Sequence, residues 1–259
     1  MRSSKRQSEV AERLLHVEFH WTKFIPVLIV IAGLGQFGIG ISVAVENFPR
    51  PFSFQTQFLS ELGQTRIPGN ISNETSCALF TGTIVLLGMS LIPMFLTVND
   101  HTGDAALLSR GLGVASAVAL IGIGVTPFDR VEGLHLLCLG CWLLSLAGMA
   151  LMRIVDAFET GLAAAWSGFI SAGLLLAIAA YAMSFGSRSA APFAQKIAIV
   201  AAIFWGLDLI REVSKYTMEI IILRRTHHRA VEDYLARLNS RPLYRAKPPD
   251  YQRYRSSNK

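Results

Sequence analysis

Charge is scarce in this chain. Only 16% of its 259 residues are Asp, Glu, Lys or Arg, and 52% are hydrophobic, where an ordinary soluble domain carries about 25% charged residues. That balance excludes a conventional water-soluble core. Cysteine is also sparse: Cys77, Cys138 and Cys141 are the only three. Two of them lie inside one apolar run, which excludes a disulfide framework. A short apolar leader followed by a small-residue cleavage site is absent as well, because the first apolar run opens only at Phe24 and is long. The first span is therefore expected to act as its own signal. Ten-residue segments of alternating polarity are missing, which excludes a membrane β-barrel.

Long unbroken apolar runs are what the chain does have. They cover Phe24–Val45, Cys77–Val98, Leu112–Phe128, Leu134–Met152, Leu162–Phe185, and Ile197 to a point between Ser214 and Leu223. At 1.5 Å per helical residue each is long enough to cross a hydrocarbon layer of about 30 Å. Lipid offers the backbone no hydrogen-bonding partners, so such runs must be helices. The expected fold is all-α: a polytopic bundle of about six transmembrane helices in a cell membrane.

Lys and Arg fix the expected orientation, since they are retained on the cytoplasmic side. With the N-terminus inside, only Arg50, Arg66, Arg130, Arg188 and Lys196 of the 24 basic residues fall outside. Both termini are thus expected in the cytoplasm. Residues 1–23 read as a basic interfacial arm, 24–223 as the membrane domain, and 224–259 as a basic tail that Pro242, Pro248 and Pro249 make partly extended or disordered. The net charge of +6 sits beside the spans. It points to anionic lipid headgroups as partners and away from nucleic acid; a protein partner or a second copy of the chain stays open.

One connector is long. Residues 46–76 hold Pro49, Pro51, Pro68, Gly63 and Gly69, which argue against a helix of any length. Such a loop suits a lid over the bundle mouth, and its Phe58–Gly63 segment is apolar enough to lie on the membrane surface. Asn70-Ile-Ser72 and Asn73-Glu-Thr75 are sequons on the expected outer side.

Several patterns invite chemistry. Gly33, Gly35 and Gly38 match a dinucleotide fingerprint, yet they stand in mid-span with no strand before them. Close helix packing is the expectation for these, for Gly40, and for Gly111, Gly113, Gly122 and Gly124. Cys138 and Cys141 have the spacing of a metal pair but lack a second pair or a His partner on their face, so neither metal nor cofactor is expected. His135 is more telling, because an imidazole entering an apolar helix must find a partner such as Asp129 or Glu61. A structural hydrogen bond is one reading. The other is a site at the outer interface with His135 as base, Asp129 or Glu61 orienting it and Ser60 as nucleophile. In the last span, Asp208 with Arg211 and Glu212 with Lys215 stand at i,i+3 and can neutralise each other on the helix surface. Asp208 is the acid expected deepest, and with Arg211 it is the candidate for an ion path. No repeat relates the two halves, which argues against a transporter.

The stretch Phe58-Leu-Ser-Glu-Leu-Gly-Gln-Thr65, followed by Asn73, Ser76, Leu79, Phe80 and Gly88, resembles the prokaryotic family catalogued as domain of unknown function 998. Gly124-Val-Thr-Pro127-Phe-Asp129 before His135, and Lys196 through Trp205, resemble further elements of that family over about residues 24–215. The resemblance implies a six-helix membrane bundle of DRAM-type layout and no particular activity. The function expected from the residues is that of an integral membrane protein contacting lipid or a partner through its first outer loop. A lipid-modifying or hydrolytic enzyme and a small-solute transporter are the alternatives.

Overall fold

The computed structural model describes residues 24–97, 104–160, 165–187 and 189–240. The expected arm at 1–23 and the Pro-rich stretch from 241 onward lie outside the described residues. The described chain holds six α-helices: α1 (Ile25–Glu46), α2 (Glu74–Thr97), α3 (Asp104–Val125), α4 (Glu132–Thr160), α5 (Ala165–Ser184) and α6 (Ala191–Ser240). All six contain apolar stretches of 19 to 28 residues, long enough to span a bilayer. Helices α1 to α5 pack against one another in sequence order. This is a multi-pass membrane bundle.

Its polarity is inverted relative to a soluble protein. Leu144, Leu176, Phe169, Ile39 and Phe204 stand exposed on the outside of the helices, whereas Ser76, Thr83, Ser90, Ser116, Ser145, Ser167 and Ser171 are buried between them. Hydrocarbon solvates the first set, and small hydroxyl side chains let helices approach. Glycines do the same at chosen points. A Cβ on Gly88 would lie 2.6 Å from Cγ1 of Ile121 and 2.9 Å from the Ala117 carbonyl oxygen, so α2 and α3 touch backbone to backbone there. Gly33 and Gly40 accept Ser90 and Thr83, Gly113 accepts Phe95, and Gly122 accepts Cys138. Gly35, Gly38 and Gly111 meet nothing within 4 Å, so the packing role expected of them is not seen.

Several boundaries differ from the sequence expectation. Helix α3 ends at Val125 instead of Phe128, because Pro127 disfavours helix at Thr126, whose hydroxyl turns back to the Gly122 carbonyl at 2.6 Å. Arg110 and Arg153, expected in cytoplasmic connectors, sit inside α3 and α4. Pro192 in the first turn starts α6 earlier, at Ala191, since proline suits a helix N-terminus. The same helix runs on to Ser240, the last of the described residues, well into the expected tail. Residues Tyr216–Ser240 form part of a separate compact unit. They are helical, with Arg229, Glu232, Asp233 and Tyr234 exposed.

The loop after α1 is built rather than loose. It contains a 3-10 turn (Leu59–Gly63) and a two-stranded antiparallel ribbon, β1 (Arg66–Ile67) with β2 (Ile71–Ser72). Pro68, Gly69 and Asn70 close the ribbon, the latter two with φ of 89° and 59°, a left-handed backbone that Gly and Asn tolerate best.

Candidate functional site

The loop between α1 and α2 is fastened down at three places. The side-chain nitrogen of Asn73 donates to the carbonyls of Leu62 (3.2 Å) and Gln64 (2.8 Å), and the Ser76 hydroxyl also donates to Leu62. On the next turn Asp129 accepts from the Thr65 amide (2.9 Å), the Thr65 hydroxyl (2.6 Å) and the Arg66 amide (3.1 Å). On α6, Gln195 accepts from the Leu59 amide at 2.8 Å, and the Lys196 ammonium donates to the Gln57 carbonyl at 2.5 Å. Leu62 and Gly63 are buried against Phe80: a Cβ at Gly63 would be 2.5 Å from its ring. Because Asn73 is buried and its amide is committed, the second sequon is masked, while Asn70 is exposed.

Under this roof lies an interior cavity of about 120 Å³. Its walls come from all six helices, α5 contributing Tyr181, and include Leu34, Phe37, Leu87, Leu120, Leu139 and Ile203, with Leu59 and Ser60 from the loop. It is long and thin: wall residues Gln195 and Gly206 of α6 are about 16 Å apart at 1.5 Å per residue. The polar lining, Ser60, His135, Tyr181 and Gln195, comes from the loop and from helix turns near it, apart from Ser116 deeper in.

His135 is 3% exposed, and its Nδ1 lies 2.6 Å from the Thr126 carbonyl. A carbonyl can only accept, so Nδ1 carries the proton and, in the neutral ring, Nε2 is the bare acceptor. The imidazole's partner is thus neither of the expected acids. Glu61 caps its own 3-10 turn, accepting from the Phe58 amide at 2.9 Å and from Gln57 at 3.2 Å, and Asp129 is committed to Thr65 and Arg66. The site therefore brings Ser60 and His135 to one cavity but not with an orienting carboxylate. Burial by itself would raise the Asp129 pKa, but the hydrogen bonds from Thr65 and Arg66 outweigh it and hold the carboxyl below its ordinary value. A lowered folded pKa contributes stability that is whole above the unfolded value of about 4 and is lost as pH falls through the folded one. Protection of the Thr65 and Arg66 amides against hydrogen exchange, relative to their intrinsic rates at each pH, is accordingly expected to fall on acidification below about pH 4, and in Asp129→Asn to be low already at neutral pH.

A second polar cluster lies at the opposite end of the bundle. Arg153 of α4 contacts Asp208 at 3.1 Å and Glu212 at 2.5 Å, Arg211 pairs with Asp208 at 2.6 Å, and Ser167 of α5 hydrogen-bonds Glu212. The Arg153 guanidinium also stands 5.6 Å over the Trp205 ring, whose indole N–H donates to Ser171. The expected Asp208–Arg211 pair is present, but Glu212 turns to α4 and α5 instead of Lys215. Neither Asp208 nor Arg211 lines the apolar cavity. A polar path from this cluster through the bundle is not part of the architecture described.

Tyr181, Gln195 and Arg153 were not among the sequence candidates. Gln195 was legible as a lone amide two positions before an apolar run, and Arg153 as a charge immediately after one. Tyr181 gave no signal, being one aromatic in a hydrophobic run. Comparison of the chain with protein-family models, with curated proteins and with solved structures yields no match.

Proposed function

We propose that this is a cell-membrane protein, both termini cytoplasmic, that takes a single lipid chain into the cavity beneath its first outer loop. The observation that carries the reading is the cavity itself: an elongated, almost wholly apolar interior space closed by a loop fastened with hydrogen bonds to α2, α6 and the α3–α4 turn. Ligand sites of this kind join an apolar wall to a few fixed polar groups. Membership of the domain of unknown function 998 family belongs to the same proposal; of the residues that carry that resemblance, Leu62, Gly63, Asn73 and Ser76 are ones that seat the roof. Native mass spectrometry of protein extracted in mild detergent is expected to show one retained lipid per chain. Leu120→Trp, which fills the cavity, is expected to abolish that retention; a folded wild-type bundle with no retained lipid would sink the proposal.

Ser60 and His135 in one cavity favour a second reading, in which Nε2 of His135 draws the Ser60 proton for attack on a lipid ester. Turnover of ester lipids that Ser60→Ala and His135→Ala both remove would establish it. Orientation has its own measurement. A cysteine at exposed Asn70 is expected to react with an impermeant maleimide on intact cells, and one at exposed Ala230 only after permeabilisation. The reverse pattern would invert the topology.

A further inference from the structure

We infer that the lipid held in this cavity carries an uncharged, oxygen-bearing head of the alcohol class, bound between His135, Tyr181 and Gln195. The inference rests on the lipid-chain reading above and adds the chemistry of the head. Its first support is what the cavity wall contains: Ser60, His135, Tyr181 and Gln195 near the roof, and no Lys, Arg, Asp or Glu anywhere along it. The nearest charges are already committed. Lys196 is held by the Gln57 and Pro192 carbonyls at 2.5 and 3.0 Å, and Glu61 by the Phe58 amide and the Gln57 side chain. A phosphate or ammonium head entering here would lose its water without gaining a counter-charge, a desolvation penalty that nothing on the wall offsets.

The second support is the polarity of the groups. His135 donates through Nδ1 to Thr126, which leaves Nε2 to accept from a hydroxyl. Gln195 accepts from Leu59 through its carbonyl oxygen, and its amide end hydrogen-bonds the Tyr181 oxygen, so the Tyr181 O–H is the donor this pair turns to a ligand. An alcohol both donates and accepts, and so answers this set with one oxygen. Chain and head would then divide the cavity, with the apolar wall running away from the roof toward Trp205 and Gly206.

The experiment uses the full chain in detergent with Trp21→Phe and Trp166→Phe, leaving Trp142 and Trp205, both on the cavity wall, as fluorophores. The probes are four molecules brominated at the same chain carbon: an alkane, a primary alcohol, a phosphate monoester and a trimethylammonium salt. Quenching is scored relative to a variant that keeps only Trp166, which faces outward. The alcohol is expected to quench at about 100-fold lower concentration than either charged probe. Tyr181→Phe is expected to weaken the alcohol by about threefold to tenfold while leaving the alkane unchanged. A charged probe that quenches as well as the alcohol, or an alcohol indifferent to Tyr181→Phe, overturns the assignment of the head while the lipid-chain reading stands. Absence of cavity quenching by all four overturns the lipid-chain reading itself.

Discussion

Arg153→Met is expected to lower the stability of the folded bundle by about 3–5 kcal/mol, the cost of leaving a buried partner charge uncompensated. The side chain of Arg153 is 12% exposed and that of Asp208 only 3%, so neither relies on water. Arg153 is also the group that ties α4 to α6, through two carboxylates at once. Removing it leaves two acids facing one another with Arg211, itself 42% exposed, as the remaining partner of Asp208. The decisive comparison is with the triple variant Arg153→Met, Asp208→Asn, Glu212→Gln, which removes both signs together and is expected to recover most of the loss. Unfolding by heat or by a denaturing detergent, followed through Trp205 beneath the guanidinium, gives both numbers. If the single variant is as stable as the parent, the cluster is an interfacial decoration and not a clamp.

That cluster also shows where sequence reading stops. Composition alone yields six membrane helices, because the cost of an unpaired backbone in lipid leaves no other structure for runs of that length. Pairing of charges is a tertiary property. The i,i+3 rule found Asp208 with Arg211, both on one helix, and missed Arg153, fifty-five residues away in sequence, which was assigned to a connector because it follows an apolar stretch. The same limit applied at the roof. Glu61, Asp129 and His135 stand out as polar groups near one membrane face, but which of them meet is decided by backbone carbonyls and amides that carry no sequence signal. Asp129 reads Thr65 and Arg66 amides, and His135 reads a Thr126 carbonyl exposed by the helix end that Pro127 imposes. Gly63 and Gly88 were legible as motif residues; their reason, contact with Phe80 and with the backbone of α3, became visible only in three dimensions.

Asn73→Asp is expected to detach the roof, at a cost of about 3–5 kcal/mol, and with it the retention of lipid. Asparagine and aspartate have nearly the same shape, so packing against Leu62 is conserved and only the sign of the hydrogen bond changes. In the parent the amide nitrogen donates to two carbonyls, of Leu62 and Gln64, in a site where Asn73 is 2% exposed. An ionised carboxylate there would be a buried charge aimed at two acceptors, and a protonated one could satisfy a single carbonyl. Asn73→Ala removes the donor without adding a repulsion, and is expected to cost about 1–3 kcal/mol, less than Asp. The ordering is the diagnostic. Faster hydrogen exchange at Leu59–Gln64 and loss of co-purified lipid should appear in the same order, Asp before Ala before wild type. Were Asp tolerated as well as Ala, the loop would be held by its apolar contacts, Leu59, Leu62 and Ile67, and the hydrogen-bonded seat would be incidental to the cavity below it.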